Sequence, residues 1–543
     1  MIETNPHRLP RTVLPNHYAL ELEPDLAQSS FQGQVIIDLE VVEETDTIVL
    51  NAAELSIKDV QVEQGALVQA SSISFDEDLE RATFAFPVVL QPGPAKLLCS
   101  FTGTLNDKLR GFYRSTWTDE EGAEKVIATT QFESTNARRA FPCFDEPDLK
   151  ASFGVTLRVD RSLMAISCGE LVSSTDLADG RREDRFADTM VMSTYLVAFI
   201  VGELEATEAV DVDGVPLRIV HVPGKGDLTQ FALEAGEFSL RWLVEYYDIP
   251  YPAGKLDLVA VPDFAFGAME NLGCVTFRET LLLADPQRST QTEMTRIVDV
   301  IAHEIAHMWF GNLVTMDWWN GIWLKEAFAT FMQVATTDAF RPQWRRWDGF
   351  CVERGAAFDT DSLASTRPIE FEVISPEDAE AMYDILTYEK GAAVVRMLEQ
   401  FLGSSQFRSG VKHYLTSHSY ANTTTTDLWD SLEHASGVPV RAAMDTWIFQ
   451  GGHPVVAVEA TPEGISVKQS RFGYSSVDPA SWHIPIIIRA QVGSEQIEKR
   501  VLLEGSQEEI DLGGTPQWAV VNAGGHGFYR AVSYTHLTLP TKA

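Results

Sequence analysis

Residues 290–310 read Thr290-Gln-Thr-Glu-Met-Thr-Arg-Ile-Val-Asp-Val-Ile-Ala-His303-Glu304-Ile-Ala-His307-Met-Trp-Phe310, and this stretch decides the architecture around it. Thr290 followed by Glu293 has capping-box spacing, and Met294, Ile297, Val298, Ile301, Ile305 and Met308 recur at helical intervals. The pattern predicts a helix from about Gln291 to Phe310. His303 and His307, four residues apart, then project from one face and can share a metal, with Glu304 one position round from the first. Gly311-Asn312 is a helix stop, and a second periodic segment begins near Trp323 with Leu324, Ala327, Phe328, Phe331 and Ala335 on one face. It carries Glu326, and the eighteen residues between His307 and Glu326 are enough to fold the second helix back on the first. Two imidazoles and a carboxylate suit zinc, one ion per chain, and three protein ligands leave a fourth position for water. Glu304 is placed to take a proton from that water and return it to a leaving amine.

Working outward, the period changes. Upstream, from Pro15 to about Glu205, short alternating segments such as Tyr18-Ala-Leu-Glu-Leu-Glu and Val35-Ile-Ile-Asp-Leu-Glu-Val predict an all-β domain. Phe231 to Tyr247 reads as a helix and Lys255-Leu-Asp-Leu-Val-Ala-Val as a strand; helices then dominate to about Gln450. Beyond Gly451-Gly-His-Pro454 the strand pattern returns and fits a small β-sandwich. The expected organisation is multidomain α+β: a β domain over 1–205, a catalytic α/β domain over 206–450, a β-sandwich over 451–532, and a tail, 533–543. The tail, Ser533-Tyr-Thr-His-Leu-Thr-Leu-Pro-Thr-Lys-Ala543, resembles a translated sequencing adapter rather than a packed element.

Composition narrows the function. A formal charge of −36, from 78 acidic and 42 basic residues, repels phosphate backbones and anionic lipid surfaces, so neither nucleic acid nor membrane is an expected partner. The five cysteines, Cys99, Cys143, Cys168, Cys274 and Cys351, have no paired spacing and read as buried thiols in a reducing compartment. No signal-peptide pattern or apolar run of membrane-spanning length occurs, and a soluble, cytoplasmic protein is expected.

Metal and base alone permit an endopeptidase. Gly267-Ala-Met-Glu270-Asn271 lies between two predicted strands, and its small residues allow backbone to pair with an extended substrate. Glu270 would then stand at the end of the cleft, where a carboxylate can hold a free α-ammonium, although an exposed turn is the simpler reading of the pentapeptide alone.

Together, Gly267–Asn271, His303-Glu-Ile-Ala-His307 and Glu326 resemble the aminopeptidase N family of zinc exopeptidases, the gluzincin aminopeptidases. The resemblance extends to Leu14-Pro-Asn-His-Tyr18, Gln131-Phe-Glu-Ser-Thr, Arg139-Ala-Phe-Pro-Cys-Phe-Asp-Glu-Pro147, Met192-Ser-Thr-Tyr-Leu196, Tyr388-Glu-Lys-Gly391 and Asn522-Ala-Gly-Gly-His-Gly-Phe-Tyr529. It implies a saddle-like N-terminal domain, a thermolysin-like catalytic domain and a small β-sandwich. The family's C-terminal helical domain is expected to be absent from this sequence, with the apolar surface it would cover left open. It also implies zinc-dependent release of N-terminal residues from peptides with free N-termini. Glu270 and Glu133 would anchor the amine, Gln131 would line the first side-chain pocket that Ala268 and Met269 shape, and Tyr388 would stabilise the oxyanion. Tyr383, outside the motif, is expected to pack. Lys325 and Ala327 flank Glu326 where the family commonly has Asn and Gly; adjacent helix positions point apart, so Lys325 need not touch the metal. Gln333 stands where an acid is frequent, and Leu272 replaces a common aromatic, which bears on pocket size. A leukotriene-hydrolase activity, a thermolysin-like endopeptidase and an inactive peptide-binding scaffold are the competing readings.

Overall fold

The computed structural model describes residues 5–285 and 287–533. The tail lies outside them from residue 534 on, while Ser533 ends the strand Arg530–Ser533. The N-terminal region is β-rich. In an eight-stranded sheet, Val13–Asp25 pairs antiparallel with Ser30–Val41 and parallel with Ser152–Asp160. Alternating residues explain the pairing: Tyr18, Leu20 and Leu22 are buried on one face, as are Val35, Ile37 and Leu39 across from them. A four-stranded sheet in the same region contains the hairpin Gly111–Thr118/Glu124–Gln131, whose buried end delivers Gln131 and the following turn with Glu133.

The central region is mixed α/β. Val215–His221, Leu256–Val261 and Cys274–Arg278 run parallel, and Leu256–Val261 is buried at every position, as a strand covered on both faces should be. Ala268–Met269 closes the edge, antiparallel to Cys274–Arg278. Helix α1 (Gln230–Tyr247) packs against helix α2 (Gln291–Ala306), which packs against helix α3 (Ile322–Phe340). The capping box is complete: Thr290 accepts from the Glu293 N–H and Glu293 accepts from the Thr290 N–H. Regular helix ends at Ala306 rather than near Phe310. Beyond His307 the bonds widen by a residue, Asn312 N–H to His307 O and Leu313 N–H to Met308 O, although the apolar period continues. Gly311 turns the chain there with φ +126°, a conformation that disfavours side chains. Helix α3 is buried over almost its whole circumference, so it is a core helix rather than the one-faced helix its apolar stripe suggested.

Downstream, two sheets follow the helices. One holds Pro454–Ala460, Gly464–Arg471, Gln507–Asp511 and Arg530–Ser533; the other holds Ile484–Val492, Glu495–Leu503 and Trp518–Val521. A buried charge pair fastens them to the helical region. Lys390 Nζ lies 2.9 Å from Asp361 Oδ2 and donates to the Gly452 carbonyl at 3.2 Å, while Asp361 Oδ1 accepts from the Gly452 N–H at 2.8 Å and from the Thr366 hydroxyl at 2.7 Å. Four of the cysteines are buried free thiols, as expected, but Cys351 is exposed: it sits on the outward face of helix α4 (Arg346–Asp361), where Val352 is exposed too. Among the described residues no helix is long and apolar enough to cross a membrane.

Candidate active site

Helices α2 and α3 bring His303, His307 and Glu326 together. One ligand atom from each lies within 4.8 Å of the other two. Glu326 Oε2 is 3.2 Å from His303 Nε2 and 3.5 Å from His307 Nε2. The far side of each ring fixes its protonation. His307 Nδ1 faces the Phe310 carbonyl at 2.9 Å, and His303 Nδ1 faces Gln333 Oε1 at 3.2 Å. Oxygens of this kind only accept, so each Nδ1 carries a proton, and in the neutral ring each Nε2 turns its lone pair toward Glu326, where a bound cation would take it. Three acceptors aimed at one another are a cation's donor set, and two imidazoles with a carboxylate fit zinc. Gln333, read from sequence as a departure, thus does the orienting that an acid would do.

A cavity of about 770 Å³ opens on this centre. Gln131, Glu133, Gly267, Ala268, Met269, Glu270, His303, Glu304, His307, Glu326 and Tyr388 all line it, so the sequence-predicted site residues meet in one place. They arrive from four segments of the chain: the N-terminal hairpin, the edge-strand segment, the helices α2 and α3, and a turn near residue 388. Gln131 Nε2 reaches Met269 Sδ at 3.4 Å, which joins the N-terminal hairpin to the edge strand Ala268–Met269. Asn312, just past α2, donates to the Glu270 carbonyl at 2.9 Å and fixes the backbone that carries the Glu270 side chain. Tyr388 stands on a π-helical turn, Leu386–Lys390, with its ring stacked 6.1 Å from that of His303. Gly391, which ends that turn, is pressed against α3: a Cβ there would lie 2.6 Å from Ala327 Cβ.

Glu304 is buried, and its Oε2 has no hydrogen-bond partner among the described residues. Burial pushes its carboxyl well above the ordinary range, the direction a proton-transferring group needs. Burial and then the neighbouring Glu270 push Glu133 up to about 7. Burial acts the same way on Glu270, but Lys325 and His307 outweigh it and hold that carboxyl below its ordinary value. Burial also raises the Tyr388 phenol well above its ordinary value, which keeps it a hydrogen-bond donor.

Three expectations are corrected. Lys325 does not point away: its ammonium is 2.8 Å from Glu326 Oε1 and 2.5 Å from Glu270 Oε1, and pairs with Glu133 as well. Neighbouring helix positions do diverge, but a four-carbon stem spans the difference. Tyr383 is not packing alone; it lines the cavity, and its buried hydroxyl has no partner among the described residues. An isolated tyrosine carries no sequence signal for that role. Leu272 is buried with its N–H on the Leu196 carbonyl and is not among the lining residues, so it does not set the cavity's width.

Residues 231–447 match the Peptidase family M1 domain and residues 14–196 the Peptidase M1 N-terminal domain. The chain is 41% identical over 536 residues to a puromycin-sensitive aminopeptidase of Caenorhabditis elegans, covering 96% of this chain and 56% of that protein. It is 40% identical over 546 residues to aminopeptidase M1 of Arabidopsis thaliana, covering 96% and 61% respectively. Against endoplasmic reticulum aminopeptidase 1 of Homo sapiens it is 35% identical over 561 residues, covering 97% and 59%. The chain therefore spans less than two thirds of the length of these relatives.

Proposed function

Since the chain belongs to the M1 peptidase family, we propose that it is a zinc-dependent aminopeptidase, with one zinc per chain, that removes the N-terminal residue from peptides with a free α-amine. The observation that carries this reading is the placement of Glu133 and Glu270: ligand atoms of both lie within 4.8 Å of Glu326, so two carboxylates converge at the metal-ligand set. An endopeptidase has no use for carboxylates there, because the chain it cleaves continues past that point uncharged.

A peptide lies along the edge strand Ala268–Met269 with its ammonium between Glu133 and Glu270, each charge-assisted hydrogen bond contributing about 1.5–3 kcal/mol. That grip sets the register, so the first peptide bond, and no other, meets the centre formed by His303, His307 and Glu326. Zinc held there supplies Lewis acidity toward the scissile carbonyl and toward water. Glu304 takes the proton of the attacking water and delivers it to the departing amine; its raised affinity for protons suits both halves of the exchange. Tyr388 donates its phenolic hydrogen to the oxygen that gains negative charge. Gln131, Gly267, Ala268 and Met269 form the wall met by the first side chain. The division into a saddle-like β domain (1–205), a thermolysin-like domain (206–450) and a β-sandwich (451–532), and a cytoplasmic site of action, belong to the same proposal.

The test is release of anilide from alanyl-, leucyl- and arginyl-anilides, with and without a chelator, beside N-acetylated controls. Chelator-sensitive turnover of the free amines alone is the expected result. Equal cleavage of the acetylated controls would overturn the reading in favour of an endopeptidase, and no turnover by folded, zinc-loaded protein would overturn activity for this chain.

A further inference from the structure

Lys325 is unusual in its position. It is only 2% exposed, with no bulk water to solvate its charge, and its ammonium touches three carboxylates, those of Glu133, Glu270 and Glu326. Its stem runs beside Gly311, where a Cβ would come within 3.3 Å of Lys325 Cδ, and its ammonium lies 5.5 Å from the centre of the Tyr195 ring. The lysine is therefore held by the fold, by a cleared path for its stem and by a ring face for its charge. Two of the three carboxylates it contacts are those assigned above to the substrate's α-ammonium.

We propose that Lys325 is a built-in counter-ion of the amine-binding site, a positioning and specificity-determining residue whose ammonium occupies part of the place a substrate ammonium would take. When both are ionised, Glu133 and Glu270 carry two negative charges; Lys325 cancels one and leaves one. The site is thereby matched to a single positive charge, and the two carboxylates are kept together, where their mutual repulsion would otherwise separate them in a buried setting. The incoming amine shares both carboxylates with the lysine, and the like charge beside it holds its affinity down. This inference rests on the aminopeptidase reading.

The experiment is calorimetric titration of the whole chain, in zinc-supplemented buffer, with leucinamide and with its desamino analogue, 4-methylpentanamide. Wild-type protein is expected to prefer the amine. Lys325→Met is expected to bind leucinamide more tightly, on the order of tenfold, with the desamino analogue unchanged, and to gain more thermal protection from leucinamide than wild type does. Weaker or unchanged amine binding by folded Lys325→Met would overturn the proposal while leaving the aminopeptidase reading standing. A wild-type chain with no preference for the amine would overturn both. The double variant Glu133→Gln/Lys325→Met restores the charge balance and guards against misfolding of the single variant. It is expected to bind leucinamide within about threefold of wild type, since the net charge is the same, and complete loss of amine binding in the folded double variant would overturn the counter-ion role.

Discussion

Among the lysines buried within the described residues, Lys390 and Lys325 have surroundings that differ in one respect. Lys390 faces one carboxylate, Asp361, and the hydrogen bonds around that pair go to backbone and to Thr366. Lys325 faces three, and a fourth buried carboxylate, Glu304, stands beyond its reach with an orphan oxygen. Only the second group lines a large cavity. A buried pair with balanced charge is complete in itself and fastens two regions together. A buried group with excess negative charge is incomplete, and the balance must come from cations brought to it. In this account those cations are a metal ion and the ammonium of a peptide.

The contrast can be broken by removing one acid from each group. In the cavity, Glu304→Gln is expected to lower kcat by about 10²–10⁴-fold, with the melting temperature unchanged or raised, because an unpaired buried carboxylate has been neutralised. At the fastening, Asp361→Asn leaves Lys390 buried without a counter-charge and is expected to destabilise the fold by about 3–5 kcal/mol in denaturant unfolding. Large stability loss at Glu304, or none at Asp361, would erase the distinction. Tyr388→Phe sharpens it further, with a kcat loss of about 10²–10³-fold, little change in KM and no stability effect. Gln333→Ala is the smallest change, weakening zinc affinity by about 10–100-fold through the freed His303 ring, as read by competition with a chelator.

Acid should find the fastening. Burial raises the Asp361 carboxyl, but Lys390, with hydrogen bonds from its neighbours, outweighs this and holds it well below the ordinary carboxylate range. A carboxyl depressed in the folded state contributes stability that is present above its unfolded pKa and lost as pH falls towards the folded value. Unfolding followed by the fluorescence of Trp447 and Trp482, both buried where the helices meet the last sheets, should therefore become easier below about pH 4, and Asp361→Asn should flatten that dependence.

The sequence was legible where the signal is local or the motif dense. The capping box at Thr290, the apolar period of α2 and the return of Glu326 on α3 all follow from intervals within one or two helical segments. The convergence of Glu133, Glu270 and Tyr388 was legible only through family resemblance, since nothing in composition links a position in a turn, one just past an edge strand and one on a π-helical turn. Lys325 was misread because helix geometry fixes the direction of Cβ but not the reach of a flexible chain. Tyr383 was misread because one aromatic without a motif looks the same in a core and at a cavity wall. The Asp361–Lys390–Gly452 fastening went unread for a simpler reason: its hydrogen bonds join residues up to 91 positions apart, and no periodicity carries information over that separation.

The central claim, that the cavity's excess negative charge is met by a metal at one end and a free ammonium beside it, is tested most directly by diffraction from crystals grown with zinc and leucinamide. The account predicts an anomalous peak between His303, His307 and Glu326, with the ligand's nitrogen against Glu133 and Glu270 and its carbonyl turned towards the peak. A peak elsewhere, or a ligand whose nitrogen faces away from both carboxylates, would contradict it.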